Sequence, residues 1–360
     1  MSKRYFFLDM LRALAVAEMI HGHSLDALLD TGLRGSAFFI NWTYVRGYTA
    51  PLFLFAAGFA FAVATLPHMK EYSVFSKGLL RRIQRLFYVI IIGYFLHLPF
   101  FSLRKTILSI GTQAWDDLLR VDILRCIGVT VLFLQAWQFL RPKKAVTWVV
   151  IGLLTLALPI LTPCVNNSEL VLGLPAFIRY YFVNSNFPLF YYSSFLFLGF
   201  LLGYLFTNKK DRWLPYALII ALALIVIAQI FRHAGIAVSL RDFMSKGGVI
   251  VLFTVLLQRG EALWRRMPSA VQYFGRESLV VYVVHLMIVY GSVINKGLVA
   301  HWGQVLSYGE LYFFVIWLMI AMALVTYVWH KLKREHTPVA NWFRSTLFWS
   351  LLILFLLKPY

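Results

Sequence analysis

LDMLRALAVAEMIHGHSLDALLD, residues 8–30, is apolar enough to cross a bilayer, yet it carries Asp9, Arg12, Glu18, His21, His23 and Asp26. Ionisable groups at membrane depth cost several kcal/mol each, so they face a protein interior or a wet cavity and mark a pathway or a site. At about 100° per residue, Arg12 and His23, eleven positions apart, differ by only about 20° in direction. Asp9 falls near the same stripe, whereas Glu18 and His21 point to another face. Arg12 and His23 are separated along the axis by roughly 16 Å, about half a hydrocarbon core. They do not touch, so this spacing suggests the two ends of one elongated cavity. A plainer reading pairs Asp9 with Arg12 at i,i+3 and makes the histidines interfacial. Six ionisable groups in one span favour a site.

The rest of the composition agrees with a membrane protein. Hydrophobic residues make up 61% of the 360 positions and charged residues 14%, which excludes an ordinary soluble domain. In a soluble chain a formal net charge of +19 would suggest nucleic acid. Here it reads as membrane topology, and no nucleic-acid partner is expected. Cys126 and Cys164 have neither metal spacing nor the look of a disulfide framework, and no metal is expected. Lys3 and Arg4 precede the first stretch as in a signal peptide, but Asp9, Arg12 and Glu18 interrupt what should be an uncharged core, so the stretch is read as retained.

Hydrophobic segments fall at 6–29, 48–66, 83–101, 118–140, 145–162, 188–206, 213–231, 247–257, 278–294, 310–330 and 345–358. The expected fold is an all-α integral membrane bundle of about ten or eleven transmembrane helices, forming a single domain over residues 1–360. The segments at 247–257 and 345–358 are short for a ~20-residue span, which leaves them tilted, re-entrant or extended at one end. With the N-terminus in the cytoplasm, the inner loops hold Lys3, Arg4, Lys70, Lys77, Arg81, Arg82, Arg85, Arg141, Lys143, Lys144, Lys209, Lys210, Arg212 and the later basic groups around residues 259–276 and 331–344. They carry about twice the Lys and Arg of the outer loops, which supports that orientation. It puts Arg12 toward the inner face and His23 toward the outer one. The fifth, seventh, tenth and eleventh segments are nearly free of ionisable groups and are expected to face lipid. The first, third, fourth and ninth carry His97, Asp122, Arg125 and His285 besides the first-stretch residues, and are expected around a polar centre.

Three further stretches carry chemistry. In KGLLRRIQRLFYVIIIGYF (77–95), Arg81, Arg82 and Arg85 span little more than a turn. Arginine forks match phosphate oxygens, and the start of the segment offers free N–H groups and a positive dipole end. Positive-inside anchoring and lipid headgroups account for such a cluster equally well. In WDDLLRVDILRCIG (115–128), Asp116 and Asp117 suit a helix N-terminus, while Asp122 and Arg125 lie deeper and pair across a turn, as structural glue or as cavity lining. In FGRESLVVYVVHLMIVYG (274–291), His285 either bonds a neighbouring helix or supports the site.

These stretches resemble the membrane acyltransferases of the acyltransferase-3 type. The first helix of that family carries Leu-Asp, then Arg, then ten residues and His, here Leu8, Asp9, Arg12 and His23. PLFLFAAGFAFA (51–62) is similar to its Phe-rich second helix, ending in Ala57-Gly58-Phe59. Arg81, Arg82 and Arg85 match its arginine run, and Ser278, Tyr282 and His285 its late helix. VDILRCIGVTVLF (121–133) and FPLFYYSSFLFLGFLLGYLF (187–206) are closer to the sister heparan-α-glucosaminide N-acetyltransferase-like proteins. The chain departs from these patterns at Ala13, where Gly is usual, and at Ala56-Ala57, where Ser is usual. FFINWTYVRGY (38–48) lacks the sister group's catalytic His.

The resemblance implies a multi-pass enzyme, of the kind found in a bacterial inner membrane, that moves an acyl group, acetyl in the simplest case, from cytoplasmic acyl-CoA to a hydroxyl or amine of an extracytoplasmic glycan. In this reading Arg81, Arg82, Arg85 and Arg12 hold the CoA phosphates. His23 is the general base, since a neutral imidazole suits proton removal at neutral pH, and Asp26 at i,i+3 orients it. Asp9, Glu18, His21, Asp122, Arg125 and His285 support them. The lipid bilayer is the surrounding partner, with further copies of the chain as an option. A proton-coupled secondary transporter, with Asp9, Glu18, His21 and His23 as a relay, is the alternative. Di-haem electron transfer would need a second His pair at matching depth, and a scaffold with buried polar glue would need no site at all.

Overall fold

The computed structural model describes residues 5–209, 212–235, 238–292 and 295–358. Lys3, Arg4 and Lys210, and the last two residues of the segment expected at 278–294, lie outside the described residues. The main helices are α1 (Phe6–Leu28), α2 (Ala37–Arg46), α3 (Thr49–Thr65), α4 (Lys77–Phe95), α5 (Ile123–Phe139), α6 (Lys144–Asn166) and α7 (Leu189–Asn208). They continue with α8 (Trp213–His233), α9 (Val238–Arg259), α10 (Ser269–Arg276), α11 (Ser278–Tyr290), α12 (Tyr308–Glu335) and α13 (Thr337–Leu357). Among the described residues β structure is confined to two isolated bridges, and six stretches are long and apolar enough to cross a membrane. The protein is an all-α polytopic membrane protein.

Every expected hydrophobic segment is a helix. The two short ones extend at their N-terminal ends: α9 has 22 residues and α13 has 21, each enough to span. The third is displaced. α4 starts at Lys77 because the Ser76 hydroxyl accepts the Leu79 N–H at 3.0 Å, an N-cap that satisfies one of the free donors of the first turn. It ends at Phe95, four residues before Pro99. Hydropathy misses the first two turns because Lys77, Arg81 and Arg82 occupy them. The arginines therefore lie within the helix, and the expectation that they accompany its free N-terminal N–H groups is corrected.

The chain divides into two compact units. The first, residues 50–98 and 109–256, holds α4 to α8, nearly all of α3 and most of α9. Its central helix is α7, 72% buried along its apolar window, which packs on α5, α6 and α8 and meets α3 at Gly58 and Gly199. Helices in lipid gain little from hydrophobic burial and associate through close packing. Here small residues permit it: a Cβ on Gly58 would run into the Leu196 carbonyl, and one on Gly199 into the Phe55 carbonyl. Phe59, Phe206 and Trp213 then form an aromatic triangle with centroids 5.3–6.0 Å apart.

The second unit, residues 5–49, 99–108 and 257–360, is built around α1, which packs against α10, α11 and α12. Phe7, Leu11, Val16, Ile20 and Leu25 of α1 are all fully buried. Gly275 of α10 approaches so closely that a Cβ there would meet the Asp9 carbonyl. The far end of α1 is fixed by a parallel bridge, Leu306 N–H to Leu28 O and Asp30 N–H to Leu306 O, both 3.0 Å. Ser307 then opens α12 with a capping box to Glu310. The helix richest in unexpected charge is thus enclosed by protein within its own unit, as its cost in lipid requires. By contrast α6, α8, α12 and α13 are only 22%, 17%, 28% and 6% buried along their apolar windows. They are the four segments whose sequences are nearly free of ionisable groups.

Candidate active site

The second unit brings together a histidine pair that the sequence could not join. His23 on α1 and His285 on α11 lie with ring centroids 5.4 Å apart. His285 is fully buried, and its Nδ1 sits 2.7 Å from the Val281 carbonyl, one turn back on the same helix. A carbonyl only accepts, so Nδ1 carries the proton and Nε2 keeps its lone pair. That Nε2 is buried and has no hydrogen-bond partner among the described residues. His23 is half-buried, with its Nδ1 3.4 Å from the Tyr290 hydroxyl. Tyr282, at a centroid distance of 6.0 Å, borders His285 on its other side. Two imidazoles and a phenol thus meet on facing helices, where one ring nitrogen is a free base.

Asp26 does not orient His23 as its spacing suggested. Arg46 of α2 donates to its Oδ1 at 2.5 Å and ion-pairs with Oδ2. The Asp26 carbonyl accepts from Arg34 at 2.8 Å and from Gln304 at 3.1 Å. The residue is therefore a hub for the loops around the end of α1. An arginine fork outcompetes a neutral ring for a carboxylate because it offers two charge-assisted bonds. Arg46 sits in the 38–48 stretch, FFINWTYVRGY. Its signal was a lone cation in an otherwise uncharged run, where a partner carboxylate is needed.

Glu18 and His21 do face away from His23, as the helical periodicity indicates. The Trp42 indole N–H lies 3.0 Å from Glu18 Oε1 and 3.1 Å from His21 Nδ1. An indole N–H only donates, so His21 Nδ1 accepts from Trp42, while His21 Nε2 lies 3.2 Å from the Tyr312 hydroxyl. Glu18 Oε2 approaches the same Nδ1 at 3.4 Å. At the other end of α1, Asp9 is buried and faces Arg276 of α10 at 3.6 Å, and Arg12 is half-buried.

The remaining expected residues belong to the first unit. Arg125 is fully buried; its Nε and backbone N–H each reach Asp122 Oδ1 at 2.9 Å. Its other amines reach the Leu118 carbonyl at 2.6 Å and His97 at 3.4 Å, and its plane lies 4.5 Å over Tyr94. Asp122 is the N-cap of α5. The pair closes the break between a short helix at Gln113–Leu119 and α5, which is the glue reading. The basic run divides. Arg82 turns inward, hydrogen-bonded to Thr65 and stacked 4.4 Å over Phe61 and 4.8 Å over Tyr72. Arg81 and Arg85 are exposed and share a face at i,i+4. Among the described residues no group of three or more His, Cys, Asp or Glu side chains could hold a metal.

A family model described as an acyltransferase domain, Acyl_transf_3, matches residues 5–330, which takes in every helix from α1 through most of α12. No curated protein matches the chain. The match covers both units, the histidine pair and the arginine run in one continuous alignment, and the protein belongs to this acyltransferase-3 family as a multi-pass membrane acyltransferase.

Proposed function

We propose that the protein transfers an acyl group, acetyl in the simplest case, from cytoplasmic acyl-CoA to a hydroxyl or amine of an extracytoplasmic glycan in a bacterial plasma membrane. The observation that carries this reading is the free Nε2 of His285 beside His23 on facing helices, an arrangement suited to handing one proton between acceptor and leaving group. In the step we envisage, the acceptor O–H or N–H loses its proton to the imidazole as its heteroatom attacks the thioester carbonyl. The tetrahedral oxyanion collapses with cleavage of the C–S bond, and the imidazolium returns the proton to the thiolate. The products are the acylated glycan and free CoA. Neutral histidine matches both halves of that exchange near neutral pH. Arg81 and Arg85 are the proposed phosphate contacts of the donor. Arg12 follows roughly 16 Å along α1 from His23, a span the pantetheine arm would cover.

The test is acetyl-CoA binding to purified protein, followed by transfer of labelled acetyl to an envelope glycan extract. The reading expects saturable binding weakened by Arg81→Gln with Arg85→Gln. It also expects transfer reduced at least about hundredfold by His23→Ala and by His285→Ala, the lower range for a general base. Folded protein that binds no acetyl-CoA, or histidine variants with full transfer, would defeat it. A proton-driven flux lost in His23→Ala would establish a transporter instead.

A further inference from the structure

A second polar feature of the first unit takes no part in the reading above. A cavity of about 390 Å³ opens where the C-terminal end of α5, the start of α6 and the end of α7 meet the turns after α3. Lys70, Arg141 and Lys144 line it with Ser73, Gln138 and Asn208, and among the described residues no carboxylate does. The neighbouring Glu71 carboxylate lies instead against Gly78. By the loop charges the cavity is on the cytoplasmic side.

Two observations say what the cavity is built for. Gln138 is only 2% exposed, and its Nε2, on a side chain that lines the cavity, has no hydrogen-bond partner among the described residues. A buried amide donor is costly to leave unmade. α6 also begins at the cavity wall with Lys143 at its N-cap and no side-chain cap, so its first N–H groups are open to an anion. The cations are placed rather than loose. Arg141 adopts φ 52°, in the left-handed region just beyond α5, and its Nε donates to Ser73 Oγ at 2.8 Å, while Lys144 reaches Asn208 at 3.3 Å.

We infer that this cavity is a phosphate-binding site, for a phosphate monoester or diester presented from the cytoplasmic side. The phosphate belongs either to an anionic lipid of the inner leaflet or to a soluble nucleotide. The site is separate in sequence from the Arg81/Arg85 face and does not depend on the donor reading.

The experiment uses full-length, lipid-stripped protein in detergent and follows Tm. One arm titrates guanosine 5′-monophosphate, a nucleotide that is no part of CoA; the other titrates short-chain phosphatidylglycerol, with diacylglycerol as the phosphate-free control. One of the two phosphates should raise Tm saturably, and which one does identifies the source. Its apparent affinity should fall about tenfold in Lys70→Gln and in Arg141→Gln, the loss of one charge-assisted contact. Arg81→Gln should leave it unchanged. Gln138→Leu guards against misfolding: it removes an unpartnered buried amide, so unliganded Tm should not fall, yet affinity should. The inference fails if neither phosphate stabilises the wild type, or if these variants bind as the wild type does. It also fails if Arg81→Gln abolishes the effect as fully as Arg141→Gln, which would make the site part of the donor face. Because neither probe carries the CoA nucleotide or an acyl group for transfer, failure here leaves the transfer reading standing, and the converse holds.

Discussion

The Asp26–Arg46 pair separates two accounts of how the end of α1 supports His23. Spacing along α1 suggests that Asp26 acts on His23 directly. The structure instead has Arg46 holding both carboxylate oxygens, with Asp26 as a loop anchor. The Asp26 and Arg46 side chains are 28% and 41% exposed, in that order. Fully exposed pairs are worth about 0–1 kcal/mol, and breaking a buried one costs about 3–5 kcal/mol. This half-buried fork should therefore contribute about 1–2 kcal/mol, discounted for screening. Asp26→Asn and Arg46→Gln should each lose about that much, and the double variant little more than either, since the partner is already gone. The non-additivity is the coupling. If α1 then settles imperfectly against α11, kcat/KM should fall about tenfold in each single variant, or ~1.4 kcal/mol of barrier, and no further in the double. The assays are thermal unfolding in detergent and acetyl transfer from acetyl-CoA. Should Asp26→Asn lose a hundredfold or more in activity while Arg46→Gln matches wild type, Asp26 would be acting on His23 and the anchor account would be wrong.

Three other perturbations follow from the geometry. Arg82→Gln should lower stability by about 1–2 kcal/mol, because it gives up a charge-assisted hydrogen bond and stacking on two rings. Arg81→Gln should leave stability unchanged within about 0.5 kcal/mol and instead weaken acetyl-CoA binding; equal stability losses would contradict the division of the run. Gly22→Ala, between the two histidines, should be neutral or stabilising by up to about 1 kcal/mol from helix propensity. An added Cβ there meets Trp42 at 3.7 Å and Arg46 at 3.9 Å, ordinary contact distances, so a large loss of stability would show the packing is misread. Gly199→Val should abolish monodisperse protein on size exclusion, because its side chain has only the Phe55 backbone to enter; a well-folded variant would mean that α3 and α7 do not pack this closely.

What the sequence made legible divides along a physical line. Segment number and helical class come from hydropathy summed over about twenty residues, which single exceptions do not overturn. The separate faces of α1 were readable too, because 100° per residue is local geometry: His21 turns to Trp42 and Tyr312, His23 to His285 and Tyr290. Partners were not readable, because they are chosen by tertiary competition. Asp26 had a histidine one turn away and an arginine twenty residues off, and the arginine holds it because a fork offers two bonds to a carboxylate. Arg82 had the same sequence context as Arg81 and Arg85, yet one step of 100° turned it onto Phe61 and Tyr72. His285 shows the limit most sharply. Alone on an apolar helix, a histidine more often bonds a neighbouring helix than does chemistry. Only with its Nδ1 proton committed to Val281 and His23 across from it does its remaining nitrogen become a candidate base. The candidate site of this family member is therefore legible in residue type along α1, but in proton position only where α1 meets α11.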